Sequence, residues 1–114
     1  MTVKKIYRLK RDRDFKQVIA ANQTVKNKFF IVYYLRNQAA GARVGISVSK
    51  KLGGAVQRNR IRRQIRAMFD QSDIFATPVD MLVIVRTEYK PDHFQEAQGK
   101  LLEIMAAIRR IANE

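Results

Sequence analysis

R-V-G-I-S-V-S-K-K-L-G-G-A-V-Q-R-N-R-I-R-R-Q-I-R, Arg43 to Arg66, is the stretch on which the fold turns. Its first seven residues alternate. Val44, Ile46 and Val48 fall on one side of an extended chain, and Arg43, Gly45, Ser47 and Ser49 fall on the other. That is a strand with an apolar underside and an upper face of small polar groups, on which another backbone can lie close. Past Gly53 and Gly54 the period changes. Ile61, Ile65, Met68 and Phe69 recur at i, i+4, i+7 and i+8, the narrow apolar stripe of a helix that starts near Ala55. Asn59, Arg60, Arg63 and Arg66 project from the opposite side, with Arg58 and Arg62 on a flank. A strand, a glycine turn and a core-anchored helix with a cationic outer face therefore follow one another.

Toward the N-terminus, residues 1–11 are basic and irregular, and Asp12 and Asp14 then open a segment in which Phe15, Val18 and Ile19 recur at helical spacing. The spacing predicts a helix over 12–21, with its acids at the positive end of the dipole and Asn22 as a stop. A short extra strand fits Gln23 to Val25. Phe29 to Leu35 is aromatic and β-branched on both faces and reads as an inner strand. With Gln38 to Ala42 as a small turn, it is expected to form a hairpin with the Arg43–Ser49 strand. Toward the C-terminus, 71–78 reads as a linker, and Val79 to Val85 is apolar on both faces, as a central covered strand requires. A last helix is expected from about Asp92 to Ala112, on Phe94, Ala97, Leu101, Met105 and Ile108. The pattern is α+β, and 114 residues suffice for one core, so 1–114 is expected to be a single domain.

Charge is the abnormal quantity. The chain carries 23 Lys and Arg against 10 Asp and Glu, a net +13. Residues 1–66 hold 18 basic and 2 acidic side chains, whereas 67–114 hold 5 basic and 8 acidic ones. A polyanionic partner for the first two-thirds is implied. Lys50, Lys51, Arg58, Arg60, Arg62, Arg63 and Arg66 crowd the densest segment without a single acid. Solvation alone does not explain arginine in place of lysine there, whereas guanidinium forks bind phosphate bidentately and stack on bases. The aromatics of Phe29–Leu35 are open to two readings, because one face must be core and the other could stack on bases.

Enzymatic chemistry has few candidates. There is no cysteine, hence no disulfide, thiolate metal site or thiol nucleophile. The one histidine, His93, stands beside Asp92 at a helix start. Asp70, Asp73, Asp80, Glu88, Asp92 and Glu96 are scattered without paired-carboxylate or metal-loop spacing and read as solvated surface. Gly53 and Gly54 lack the order of a nucleotide-binding loop. A tight turn explains them, although exposed amides at that helix start could also accept a phosphate. No apolar run long enough for a membrane span and no signal segment occur, so a cytoplasmic protein is expected.

The segment Lys50–Arg66, preceded by Arg43–Ser49, resembles the bacterial ribonuclease P protein component. That family has a strand ending in Ser-Val-Ser-Lys-Lys, a glycine-containing turn, Ala-Val, then Arg-Asn-Arg and a basic-apolar helix, all found here in order. The likeness extends over nearly the whole chain. It implies an α/β sandwich of two layers with a small mixed sheet, three helices and a left-handed βαβ crossover, where connection statistics alone favour the right-handed form. It also implies two partners: a catalytic RNA subunit that carries the chemistry, and precursor tRNA, cut at the 5′ end of the mature sequence. No obligate protein partner or membrane is implied. No cofactor is expected on the chain itself, with Mg2+ entering through the RNA. On this resemblance Lys50, Lys51, Arg58, Asn59, Arg60, Arg62, Arg63 and Arg66 contact RNA. Phe15, Ile31, Tyr33, Ser47 and Ser49 form a cleft for the 5′ leader, with a core alternative for Ile31 and Tyr33 that is stronger for Ile31. Gly54 stands where the family usually has Asn, and Ile19 where relatives often carry an aromatic. A non-enzymatic RNA-binding module, such as a ribosomal protein, shares the composition but not the ordered motif. A metal-dependent nuclease lacks the ligand cluster it needs.

Overall fold

The computed structural model describes residues 9, 12–38 and 41–113. The other residues of the basic N-terminal stretch and two of the turn at 38–42 lie outside them. Helix α1 (Asp12–Ala20) is followed by strands β1 (Thr24–Lys26), β2 (Phe30–Arg36) and β3 (Arg43–Ser47), helix α2 (Ala55–Asp70), strand β4 (Val79–Val85) and helix α3 (Phe94–Ala112). Asn22 stops α1 in a left-handed conformation, with φ 53°. At the β1–β2 turn Asn27 Oδ1 accepts hydrogen bonds from the amides of Phe29 and Phe30, an arrangement suited to Asn.

The four strands form one mixed sheet in the order β1-β2-β4-β3. Strand β4 runs antiparallel to β2 and parallel to β3, so β3, α2 and β4 make a βαβ unit. The hairpin expected between β2 and β3 does not form, because β4 lies between them. Val79–Val85 is buried on both faces at six of its seven positions, which a strand achieves only in the interior of a sheet. The link after β2 therefore crosses the start of β4. The Asn37 amide donates to Pro78 O and the Ala42 amide to Phe75 O, and the Asn37 side chain donates to Asp80 Oδ1 at 2.7 Å. The residues from Gln71 to Pro78 are also more than a linker. Ile74 lies in a single 3-10 turn and is buried in the main core.

Alternation along the strands sorts the side chains between two faces. Phe30 and Val32 of β2, Val44 of β3, and Met81, Val83 and Val85 of β4 meet the stripes of α2 and α3, including Ile61, Ile65, Phe69, Leu101 and Ile108. This sheet-and-helix-pair sandwich is the main core. On the opposite face a smaller cluster joins Leu9, Val18 of α1 and Leu82 of β4, with Phe15, Tyr33, Leu35 and Ile84 packed against it. The short α1 covers only part of that face.

Candidate nucleic-acid interface

On the α1 side of the sheet, register sets three rows. Leu35, Asp80 and Arg43 stand across one another, then Tyr33, Leu82 and Gly45, then Ile31, Ile84 and Ser47. The pairing brings Ile31 and Tyr33 of β2 to the same face as Ser47 of β3 although β4 separates the two strands. Phe15 descends from α1 onto the middle row. A Cβ placed on Gly45 would come within 2.4 Å of the Phe15 ring, so only glycine lets the ring approach the strand this closely. Phe15, Ile31 and Tyr33 are half-buried, while Ser47 and Ser49 are exposed. Apolar rings and hydroxyls thus share one partly open floor.

The second surface is α2. Its apolar stripe of Ile61, Ile65, Met68 and Phe69 is buried, as the spacing requires. The other side carries Asn59, Arg60 and Arg63 in exposed positions, with Arg58, Arg62 and Arg66 half-buried. Lys50 and Lys51 lie exposed on a 3-10 turn just before it. Arg62 Nη1 donates to Asn59 Oδ1 at 2.9 Å, which orders two of these groups before any ligand arrives. The Nε of Arg58 is enclosed without a hydrogen-bond partner among the described residues. Such a donor gains from an anion more than a solvated one does.

The two surfaces adjoin, a juxtaposition that local sequence patterns do not encode. Arg62 and Arg66 line a pocket together with Phe15, Gly45 and Ile46, so guanidinium groups border the aromatic floor. Two further groups escaped the sequence reading. Asp80, taken for solvated surface, is 5% exposed and accepts from Arg43 Nε at 2.8 Å and Nη2 at 2.6 Å. Hydrogen bonding to Asp80 raises the Arg43 pKa above its ordinary value, more than burial lowers it. Gln64 accepts from the Tyr89 hydroxyl at 2.6 Å and donates to Pro91 O at 3.2 Å, tying α2 to the start of α3. An acid within an otherwise apolar strand signals the first of these, because burial demands a partner.

Among the described residues no three His, Asp or Glu side chains converge as metal ligands would. His93 is exposed at the start of α3, and its ring stands 6.5 Å from that of Phe29. Among the same residues no helix is long and apolar enough to cross a membrane.

Comparison with known proteins agrees with this architecture. The family model Ribonuclease P matches residues 3–109. The ribonuclease P protein component of Lactococcus lactis is 40% identical over 92% of the chain and 90% of its own length. A Staphylococcus aureus RNase P protein mutant with defective mRNA degradation activity superposes with a TM-score of 0.78 at 36% identity, covering 92% of this chain and 90% of that one. The RNase P protein from Thermotoga maritima gives 0.76 at 28% identity over 86% of this chain and 94% of the other.

Proposed function

Since the chain belongs to the ribonuclease P protein family, and so is a subunit of a ribonucleoprotein endoribonuclease, we propose that it works by binding RNA on two adjoining surfaces while the RNA subunit performs the cleavage. The observation that carries this reading is the meeting of Arg62 and Arg66 with Phe15 and Gly45 around one pocket. The arginine face of α2, with Lys50 and Lys51, grips the phosphates of the RNA subunit. The floor beneath Phe15, with Ile31, Tyr33, Ser47 and Ser49, receives the single-stranded 5′ leader of precursor tRNA. Half-buried rings suit unstacked bases, and exposed serine hydroxyls suit sugar and phosphate oxygens.

The chemistry of tRNA 5′ maturation would then reside in RNA-bound Mg2+, and the protein contributes charge and position. A partner of this kind places the protein in the cytoplasm. Two substitutions separate the surfaces. Arg63→Ala with Arg66→Ala is expected to weaken assembly with the RNA subunit and flatten its salt dependence, by roughly 0.7 to 0.9 in log–log slope per lost phosphate contact. Tyr33→Ala, once shown to fold, is expected to cost about 1–3 kcal/mol in binding precursor tRNA and almost nothing with leaderless tRNA. Equal losses on both tRNAs would return Tyr33 to the core and contradict the leader assignment.

A further inference from the structure

Only two acids, Asp12 and Asp14, occur in the first 66 residues, and the fold uses them differently. Asp12 is exposed at the start of α1. Asp14 turns to the sheet; its side chain is 14% exposed and its Oδ2 stands 3.7 Å from Arg43 Nη1. Arg43 is already matched by the buried Asp80, whose two oxygens accept from its Nε and Nη2. One guanidinium therefore sits between two carboxylates, and this corner of a strongly basic surface is formally anionic.

Its position gives the corner a consequence. Arg43 and Asp80 form the end row of the cleft floor, next to the row on which Phe15 rests. The far end opens at Ser47 toward Lys50 and Lys51, and Arg62 and Arg66 border the middle. Cations line one end and one side of the floor, and a carboxylate closes the other end. A single strand carries one negative charge per nucleotide and follows cations. A partly buried carboxylate repels it with little help from salt screening. Arg43 gives its Nε and Nη2 side to Asp80 and turns Nη1 to Asp14, so a phosphate approaching this guanidinium meets two carboxylates.

We propose that Asp14 is a specificity-determining residue that ends the path of the leader phosphates, both by occupying Arg43 and by placing a negative charge where the next phosphate would lie. This rests on the leader-cleft reading above. Replacing Asp14 by Asn keeps the size of the side chain, removes its charge and releases Arg43 Nη1.

The test uses holoenzyme reconstituted with the catalytic RNA and precursor tRNAs whose leaders lengthen one nucleotide at a time, with affinity measured at several salt concentrations. For the unaltered protein, affinity rises with leader length and then levels off. With Asp14→Asn the rise continues for about one or two more nucleotides, long-leader complexes bind roughly threefold tighter, and their log–log salt slope steepens by about 0.7. Asp14→Glu restores the original plateau, and Asp12→Asn leaves it in place. If Asp14→Asn instead weakens binding at every leader length, its role is structural and the proposal is wrong. Curves that coincide with the unaltered protein also overturn it. Tyr33→Ala in the same series separates the two levels. If Tyr33→Ala flattens the leader dependence while Asp14→Asn leaves the plateau where it was, the cleft stands and the end-stop fails; if neither variant changes it, both fail.

Discussion

Tyr89 is 2% exposed, with its ring edge-on to Phe29 at 6.1 Å and tilted against Phe30 at 5.9 Å. Its hydroxyl reaches Gln64, one residue beyond Arg63, so a core tyrosine fixes the roll of the helix that displays the arginines. Burial pushes the phenol up to about 12, against the opposing influence of Arg60. The folded chain therefore keeps this proton at pH values where the unfolded chain has lost it. Stability from this group is fully present below the unfolded value of about 10 and is lost as pH rises toward the folded one, at about 1.4 kcal/mol per pH unit inside that window. Tyr89→Phe is expected to cost about 1 kcal/mol at neutral pH, where it removes one hydrogen bond, and to decline less steeply than the unaltered protein above about pH 10. Urea denaturation of both proteins at neutral and alkaline pH checks this, and parallel declines would show that Tyr89 is not the titrating group. Gly45 shows residue-scale constraint of another kind, since the Phe15 ring occupies the space a side chain would need.

At the scale of elements, the start of α2 is the informative junction. Gly53 has φ 130°, which L side chains rarely adopt, and a Cβ there would also press on Gln57 at 2.9 Å. Gly54 caps the helix with an extended backbone, makes no side-chain cap and has open space around it. Gly54→Asn is therefore expected to stabilise the protein by a few tenths of a kcal/mol, and Gly53→Ala to destabilise it by about 1 kcal/mol or more, both measured by thermal denaturation. A stabilising Gly53→Ala would contradict the backbone assignment. The helices were legible from their helical period and β3 from its period of two, whereas β2 and β4, apolar on both faces, were legible from short length and β-branched and aromatic composition. The pairing of strands was not. Two adjacent strand patterns with a short link suggest a hairpin, and only the double-sided burial of Val79–Val85 demands that β4 take the place between them. The motif residues of α2 were legible from charge and spacing. The pocket that joins Arg62 and Arg66 to Phe15 and the pairing of Asp80 with Arg43 depend on that strand order, which local patterns do not encode.

At the scale of the molecule, the described residues between 12 and 66 carry 13 basic and two acidic side chains, a net +11, on a body with a radius of gyration of 13.1 Å. Like charges at that density repel, and anions that bind the folded state offset the repulsion. Sulfate or phosphate is expected to raise the melting temperature more than chloride at matched ionic strength; coincident values in the three salts would reduce the effect to general screening. The α2 face and the aromatic floor belong to the proposed account, in which this chain positions RNA and the RNA subunit cuts it. The most direct measurement is cleavage of precursor tRNA by three preparations: rigorously RNA-free protein with ample Mg2+, the catalytic RNA alone, and the two combined. The account predicts no cleavage by the protein alone and faster release of the 5′ leader by the combination than by the RNA. Reproducible cleavage at the mature 5′ end by the RNA-free protein, or no gain when it joins the RNA, would contradict it.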